Sequence, residues 1–135
     1  MDFFMSRFAA QTYAAMRIVA GLLYMCHGAQ KLFGFPLPVP AAPPFILYVA
    51  GPIEFVGGLL IAAGLCTRWT AFICSGQMAA AYWFAHFPRG PFPLANGGEL
   101  AALYCFIFLF FFANGPGIWS LDAAFFSRDA GTRTP

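Results

Sequence analysis

Residues 13–33 read YAAMRIVAGLLYMCHGAQKLF, an apolar stretch that nonetheless carries Arg17, His27 and Lys31. As a helix rising about 1.5 Å per residue it is about 30 Å long, the thickness of a bilayer's hydrocarbon core. Three comparable stretches follow, at about 45–65, 69–87 and 97–114, and they carry Glu54, His86 and Glu99. The reading is an all-α fold, a four-helix transmembrane bundle. Ionisable groups inside such segments are costly, so these six side chains mark a functional site or a paired network.

Composition supports that class. The chain is 61% hydrophobic and 9% charged, against roughly 25% charged in an average soluble domain. Eighteen Phe among 135 residues are hard to bury in so small a soluble fold, so the first expected partner is the lipid bilayer. A net charge of +2 without a basic run gives no sign of nucleic acid. Cys26, Cys66, Cys74 and Cys105 show no paired or zinc-like spacing and read as small buried hydrophobes. No cleavable leader is evident: the first stretch is long and carries Arg17. Residues 1–135 read as one domain.

The connections set the topology. Residues 34–44 hold five prolines and read as an extended cap rather than a helix, and 88–96, with three prolines, reads as another Pro-rich cap. Residues 66–68 form a tight turn, Gly115-Pro116-Gly117 is a hard stop, and 118–126 reads as a short interfacial helix with aromatic anchors. Arg7, Arg17, Arg68, Arg128 and Arg133 lie on one side, Lys31 and Arg89 on the other. The richer side is expected to be cytoplasmic. Both termini then lie inside, both Pro-rich caps are extracytoplasmic, and the four spans have a loose two-hairpin look.

Depth and direction suggest partners. Helical side chains lean toward their own N-terminus. His27 and Lys31 therefore lean down toward the midplane while Glu54 leans up to meet them. Arg17 leans the other way, toward the inner surface, where Asp122 is the expected acid. Glu54 is thus expected to pair with His27 or Lys31 and not with Arg17, which forms a structural lock with Asp122. At about 100° per residue, Arg17, Tyr24, Gly28 and Lys31 share a stripe flanked by Gly21 and His27. Ala50, Glu54, Gly57 or Gly58, Ile61 and Gly64 form a matching seam, whose small residues allow backbones to approach. Gln77 lies near the midplane, about 180° from His86 on a straight helix. Pro88 is expected to end that helix early and leave His86 in the cap, near Asn96 and Glu99. The run 106–112 reads as packing and lipid-facing surface that also suits a quinone ring.

These residues together resemble the DoxX family of small membrane proteins. The likeness runs through Arg17-Ile-Val-Ala-Gly21, His27-Gly28, Lys31-Leu32, Gly34, Glu54-Phe-Val-Gly-Gly58, Gly64-Leu-Cys-Thr67-Arg68 and Gln77-Met78. It continues in His86, Asn96-Gly-Gly-Glu99, Tyr104 and Gly115-Pro-Gly-Ile-Trp-Ser120-Leu-Asp122, so it covers roughly residues 13–124. The resemblance implies a four-helix bundle in the cytoplasmic (cell inner) membrane, a link to quinone and oxidative-stress chemistry, and a polar core of Arg17, His27, Lys31, Glu54, His86 and Glu99.

Two functions compete. In the first, the chain is a subunit of a membrane redox system. Glu54, His27 and Lys31 handle protons or a quinone carbonyl, and His27, Lys31, Gln77, His86, Asn96 and Glu99 are the ligand-binding set. No haem, flavin or iron–sulfur motif is present, so electrons come from a partner; quinone is the one cofactor class suggested, and the expected assembly is a redox complex or a homo-oligomer. In the second, the chain is a non-catalytic assembly or chaperone protein whose polar network locks helix packing. His27, Glu54, His86 and Glu99 have ligand types that suit a divalent metal, but their spacing gives no metal signal.

Overall fold

The computed structural model describes residues 6–39 and 42–126. The expected tail from Ser127, with Arg128 and Arg133, lies outside them. Among the described residues the regular structure is all helical. Helix α1 is Ala9–Phe33, α2 is Ile46–Ala63 and α3 is Thr67–His86. A 3-10 turn follows at Phe87–Arg89, then a short helix α4 at Pro93–Asn96, α5 at Glu99–Asn114 and α6 at Leu121–Phe126.

Two of these helices widen into π turns, at Ile46–Ala50 in α2 and Tyr82–His86 in α3. Each lies next to a proline, Pro52 or Pro88. A proline has no N–H to donate, and its ring collides with the carbonyl four residues back. A wider turn relieves both problems. In α3 the π turn carries the helix through His86, so Pro88 does not end it early as expected; the His86 ring still reaches the cap at the Asn96 carbonyl.

The helices pack as two pairs, α1 on α2 and α3 on α5, and the pairs meet through α2 and α3. The α1–α2 seam is the one the sequence spacing gives. A Cβ on Gly28 would run into the backbone of Phe55, and one on Gly58 into the backbone of Met25. On Gly21 it would lie 2.5 Å from the amide nitrogen of Ala62. These helices therefore touch backbone to backbone. Gly28→Val is expected to force them apart and cost about 1–3 kcal/mol or more, since nothing there can yield. Thermal unfolding in detergent checks this; an unchanged midpoint contradicts the seam.

The core between the pairs is aromatic. Tyr24 of α1 meets Phe108 of α5 edge-on at 4.7 Å between ring centres. Tyr104 stacks on Phe108 at 5.4 Å and 19°. Ile61, Ala71, Cys74, Met78 and Phe111 complete the cluster. Of the run 106–112, Phe108 and Phe111 turn inward while Phe106, Phe110 and Phe112 stay exposed. The rest of the exterior is unusually apolar, with Val19, Leu23, Val56, Trp69, Phe72, Ile73, Trp83, Phe84 and Leu103 all more than half exposed.

Some boundaries differ from expectation. Among the described residues one helix, Ile46–Ala63, is both long and apolar enough to cross a membrane. Helix α1 has the length, but Gln11, Thr12, Arg17, His27, Gln30 and Lys31 dilute its apolarity. Helix α5 is apolar but has 16 residues, about 24 Å of rise. The C-terminal helix begins at Leu121 rather than 118, because the Ser120 hydroxyl accepts from the Ala123 amide and caps it. Before it, Trp119 takes a left-handed backbone with φ of 55°.

Candidate functional site

The site is built where α1, α2 and α3 come level. Glu54, on the buried seam of α2, sends Oε2 to the Lys31 ammonium of α1 in a close ion pair. Its other oxygen accepts from Gln77 Nε2 of α3 at 3.1 Å. Gln77 Oε1 in turn accepts the Tyr24 hydroxyl at 2.5 Å. One hydrogen-bonded chain therefore links Lys31, Glu54, Gln77 and Tyr24 across three helices. The Lys31 side chain is 22% exposed and that of Glu54 only 2%, so the chain reaches the surface at the Lys31 end.

The expected pairing of Glu54 with Lys31, and not with Arg17, is what the geometry shows. The lean of α1 and α2 side chains toward each other produces it. His27 is not part of this pair. It is half-buried and lies edge-on to the Tyr104 ring, 6.3 Å between centres. Tyr24 was visible in the α1 stripe but not assigned to the site. Its depth, level with Glu54 and Gln77, was the available signal.

The outer cap is a separate cluster. Asn96 is buried; its side chain donates to the Gly90 carbonyl at 2.7 Å and accepts from the Gly98 amide at 2.7 Å. His86 Nδ1 lies 2.9 Å from Arg89 Nη2 and 3.3 Å from the Asn96 carbonyl. Glu99 does not converge with Glu54, contrary to expectation. The buried face of α5 is Ala101, Tyr104, Phe108 and Phe111, and Glu99 lies off that stripe. It is exposed beside an open groove of about 630 Å³ lined by Pro93, Leu100, Leu103 and Phe106. Its position in the first turn of α5 suits the positive end of the helix dipole. The six charges thus divide further than the sequence reading had them. Among the described residues no three His, Cys, Asp or Glu side chains gather as metal ligands.

The inner lock exists but with other partners. Arg17 is fully buried, and it donates to backbone rather than to Asp122. Nη1 reaches the Ile61 and Ala62 carbonyls at 2.6 and 2.8 Å, and Nη2 reaches the Trp119 carbonyl at 2.7 Å. The first two belong to the C-terminal turn of α2, whose carbonyls form the negative end of the helix and attract a cation. Asp122 instead accepts from the Cys66 and Thr67 amides at 2.8 and 2.9 Å, which caps the start of α3. The sequence reading also missed Arg68, whose Nη1 donates to the Phe112 and Ala113 carbonyls at the end of α5. Carbonyls at helix ends are not written in residue types, so neither arginine's partners were legible.

Among the described residues the regular structure is all helical, the exterior is apolar and an ion pair lies largely buried between helices, features that fit the class of helical membrane proteins. The chain belongs to the DoxX family, whose model matches residues 12–87. It is 44% identical over 122 residues to an uncharacterised protein of Haemophilus influenzae, covering 85% of this chain and 91% of that protein. It is 33% identical over 58 residues to the Bacillus subtilis protein CatD, whose name places it provisionally among oxidoreductases; the match covers 39% of this chain and 43% of that one. No solved structure matches the chain.

Proposed function

We propose that this protein is a subunit of a membrane redox system in which Lys31 and Glu54 bind a quinone-type ligand and carry its proton. In this reading the chain crosses the cell inner membrane four times, with α1, α2, α3 and α5 as spans, both termini cytoplasmic and the Pro-rich caps outside. The apolar exterior supports the embedding, since soluble monomers rarely expose so continuous an apolar surface. The observation that carries the function is the Lys31–Glu54 pair: one buried carboxylate joined to one partly open ammonium. Lys31 offers a donor to a quinone carbonyl, and Glu54 is the group that takes or returns the proton. Electrons come from a partner protein. The partial likeness to CatD supports a redox setting.

The test is thermal unfolding of the purified protein with added quinones, beside Glu54→Gln. A quinone-dependent rise of the midpoint in the native protein, absent in the variant, is expected. No rise with any quinone counts against the reading. One observation favours a second reading, a non-catalytic assembly protein: both carboxylate oxygens of Glu54 already have partners, and neither the outer groove nor the hollow beside Arg68 is lined by it. In that case Glu54→Gln and His27→Ala lower the yield of co-purified partner and leave its redox activity unchanged.

A further inference from the structure

We propose that Glu54 exchanges its proton through Lys31 alone, and that Gln77 is the positioning residue that closes the other end. This deepens the proton-handling reading above and rests on it. The four groups form one chain of hydrogen bonds, yet the chain is not a proton wire. A carboxylate can only accept, so the Gln77 amide must face Glu54 with its NH₂ group. Its carbonyl oxygen then faces Tyr24, at 2.5 Å. The Tyr24 hydroxyl proton is committed to that oxygen and directed away from Glu54.

A proton moving between Glu54 and Tyr24 would have to pass through the amide. Gln77 would gain a proton on Oε1 and lose one from Nε2, which leaves the unstable imidic acid form. A neutral amide neither gains nor loses protons under ordinary conditions, so Gln77 transmits hydrogen-bond orientation but not charge. No route opens past Tyr24 either. Its ring is wedged against Tyr104 at 5.5 Å and Phe108 at 4.7 Å. The one thiol beside it, Cys74, is fully buried and packs so tightly that a Cβ on Gly57 would lie 2.5 Å from its sulfur.

The Lys31 end differs. Lys31 can pass an N–H proton to Glu54 Oε2 and take a replacement from a hydroxyl at its open side. One N–H bond and one ligand O–H bond break while one Glu54 O–H and one new N–H form. A single proton moves from ligand to Glu54, and no electrons move with it. The site therefore serves a ligand that approaches the Lys31 edge, and it does not carry protons from one face of the bundle to the other.

Infrared spectroscopy of the full chain in lipid vesicles tests this without any quinone. The rate at which the Glu54 carboxylate exchanges a proton after a rapid step to acid buffer, read from the growth of a carboxylic C=O band, is measured. Lys31→Arg keeps the ion pair but replaces a proton-passing ammonium with a guanidinium that does not release protons. It is expected to slow exchange on the order of a hundredfold. Tyr24→Phe is expected to leave the rate within about twofold, since it lies beyond a closed end. Exchange in Lys31→Arg as fast as in the native protein overturns the proposal, and so does slowed exchange in Tyr24→Phe. Because no quinone is present, the outcome is independent of whether quinone raises the unfolding midpoint.

Discussion

Lys31→Met will destabilise the protein by on the order of 3–5 kcal/mol, more than any surface substitution, because it strands Glu54. The Glu54 side chain is 2% exposed and has one cationic partner. Without the ammonium, a bare carboxylate remains among helices whose other nearby groups are amide, phenol and ring. A buried charge without a partner is costly there. Thermal unfolding in detergent gives the loss. The double variant Lys31→Met/Glu54→Gln separates this account from simple loss of packing. Removing both charges abolishes the uncompensated group, and replacing a buried pair entirely is often close to neutral. The double variant is therefore expected to recover most of the stability. A loss equal to the sum of the two single variants would show that each residue acts by itself and that the pair is not what holds α1 to α2.

How much of this was readable in the sequence depends on the kind of partner. The α1–α2 seam was legible because it is periodic: Gly21, Gly28 and Gly58 recur at helical spacing, and only residues without a side chain allow such an approach. That Glu54 meets the His27–Lys31 end of α1 was legible because depth and lean follow from chain direction alone, but the choice of Lys31 over His27 was not. Glu99 was misplaced although the same rule was available; Ala101, Tyr104, Phe108 and Phe111 define the inward stripe of α5, and Glu99 falls outside it. His86 was expected in the cap because Pro88 would end the helix early, yet α3 runs through His86 in a π turn that no spacing rule predicts, and only its ring reaches the cap. The arginines were the least legible. Their partners are carbonyls at Ile61, Ala62, Trp119, Phe112 and Ala113. Every residue type has a carbonyl, so the sequence marks none of them.

Arg17→Met carries the second large effect, and its size relative to Asp122→Ala decides which account of the inner lock is right. The guanidinium bridges two elements: Nη1 binds the last carbonyls of α2, and Nη2 binds Trp119 in the segment before α6. Hydrogen bonds to a charged group are worth about 1.5–3 kcal/mol each, but bonds made by one side chain do not add in full, and losing the three is expected to cost about 3–5 kcal/mol in total. Methionine fills the volume but supplies no donor to the Ala62 and Trp119 carbonyls, while Ile61 keeps only the Gly64 amide. Trp119 then has no reason to hold its left-handed backbone, and residues 115–126 come away from the bundle. Arg17→Lys is expected to rescue only in part, because an ammonium is a point charge and lacks the fork that reaches both elements at once. Asp122→Ala removes a helix cap, worth about 1–2 kcal/mol. Unfolding midpoints and limited proteolysis near residues 115–126 measure both effects. An Arg17–Asp122 ion pair would make the two losses alike. The carbonyl clamp requires Arg17→Met to be clearly the larger, with cleavage of the segment appearing in that variant first.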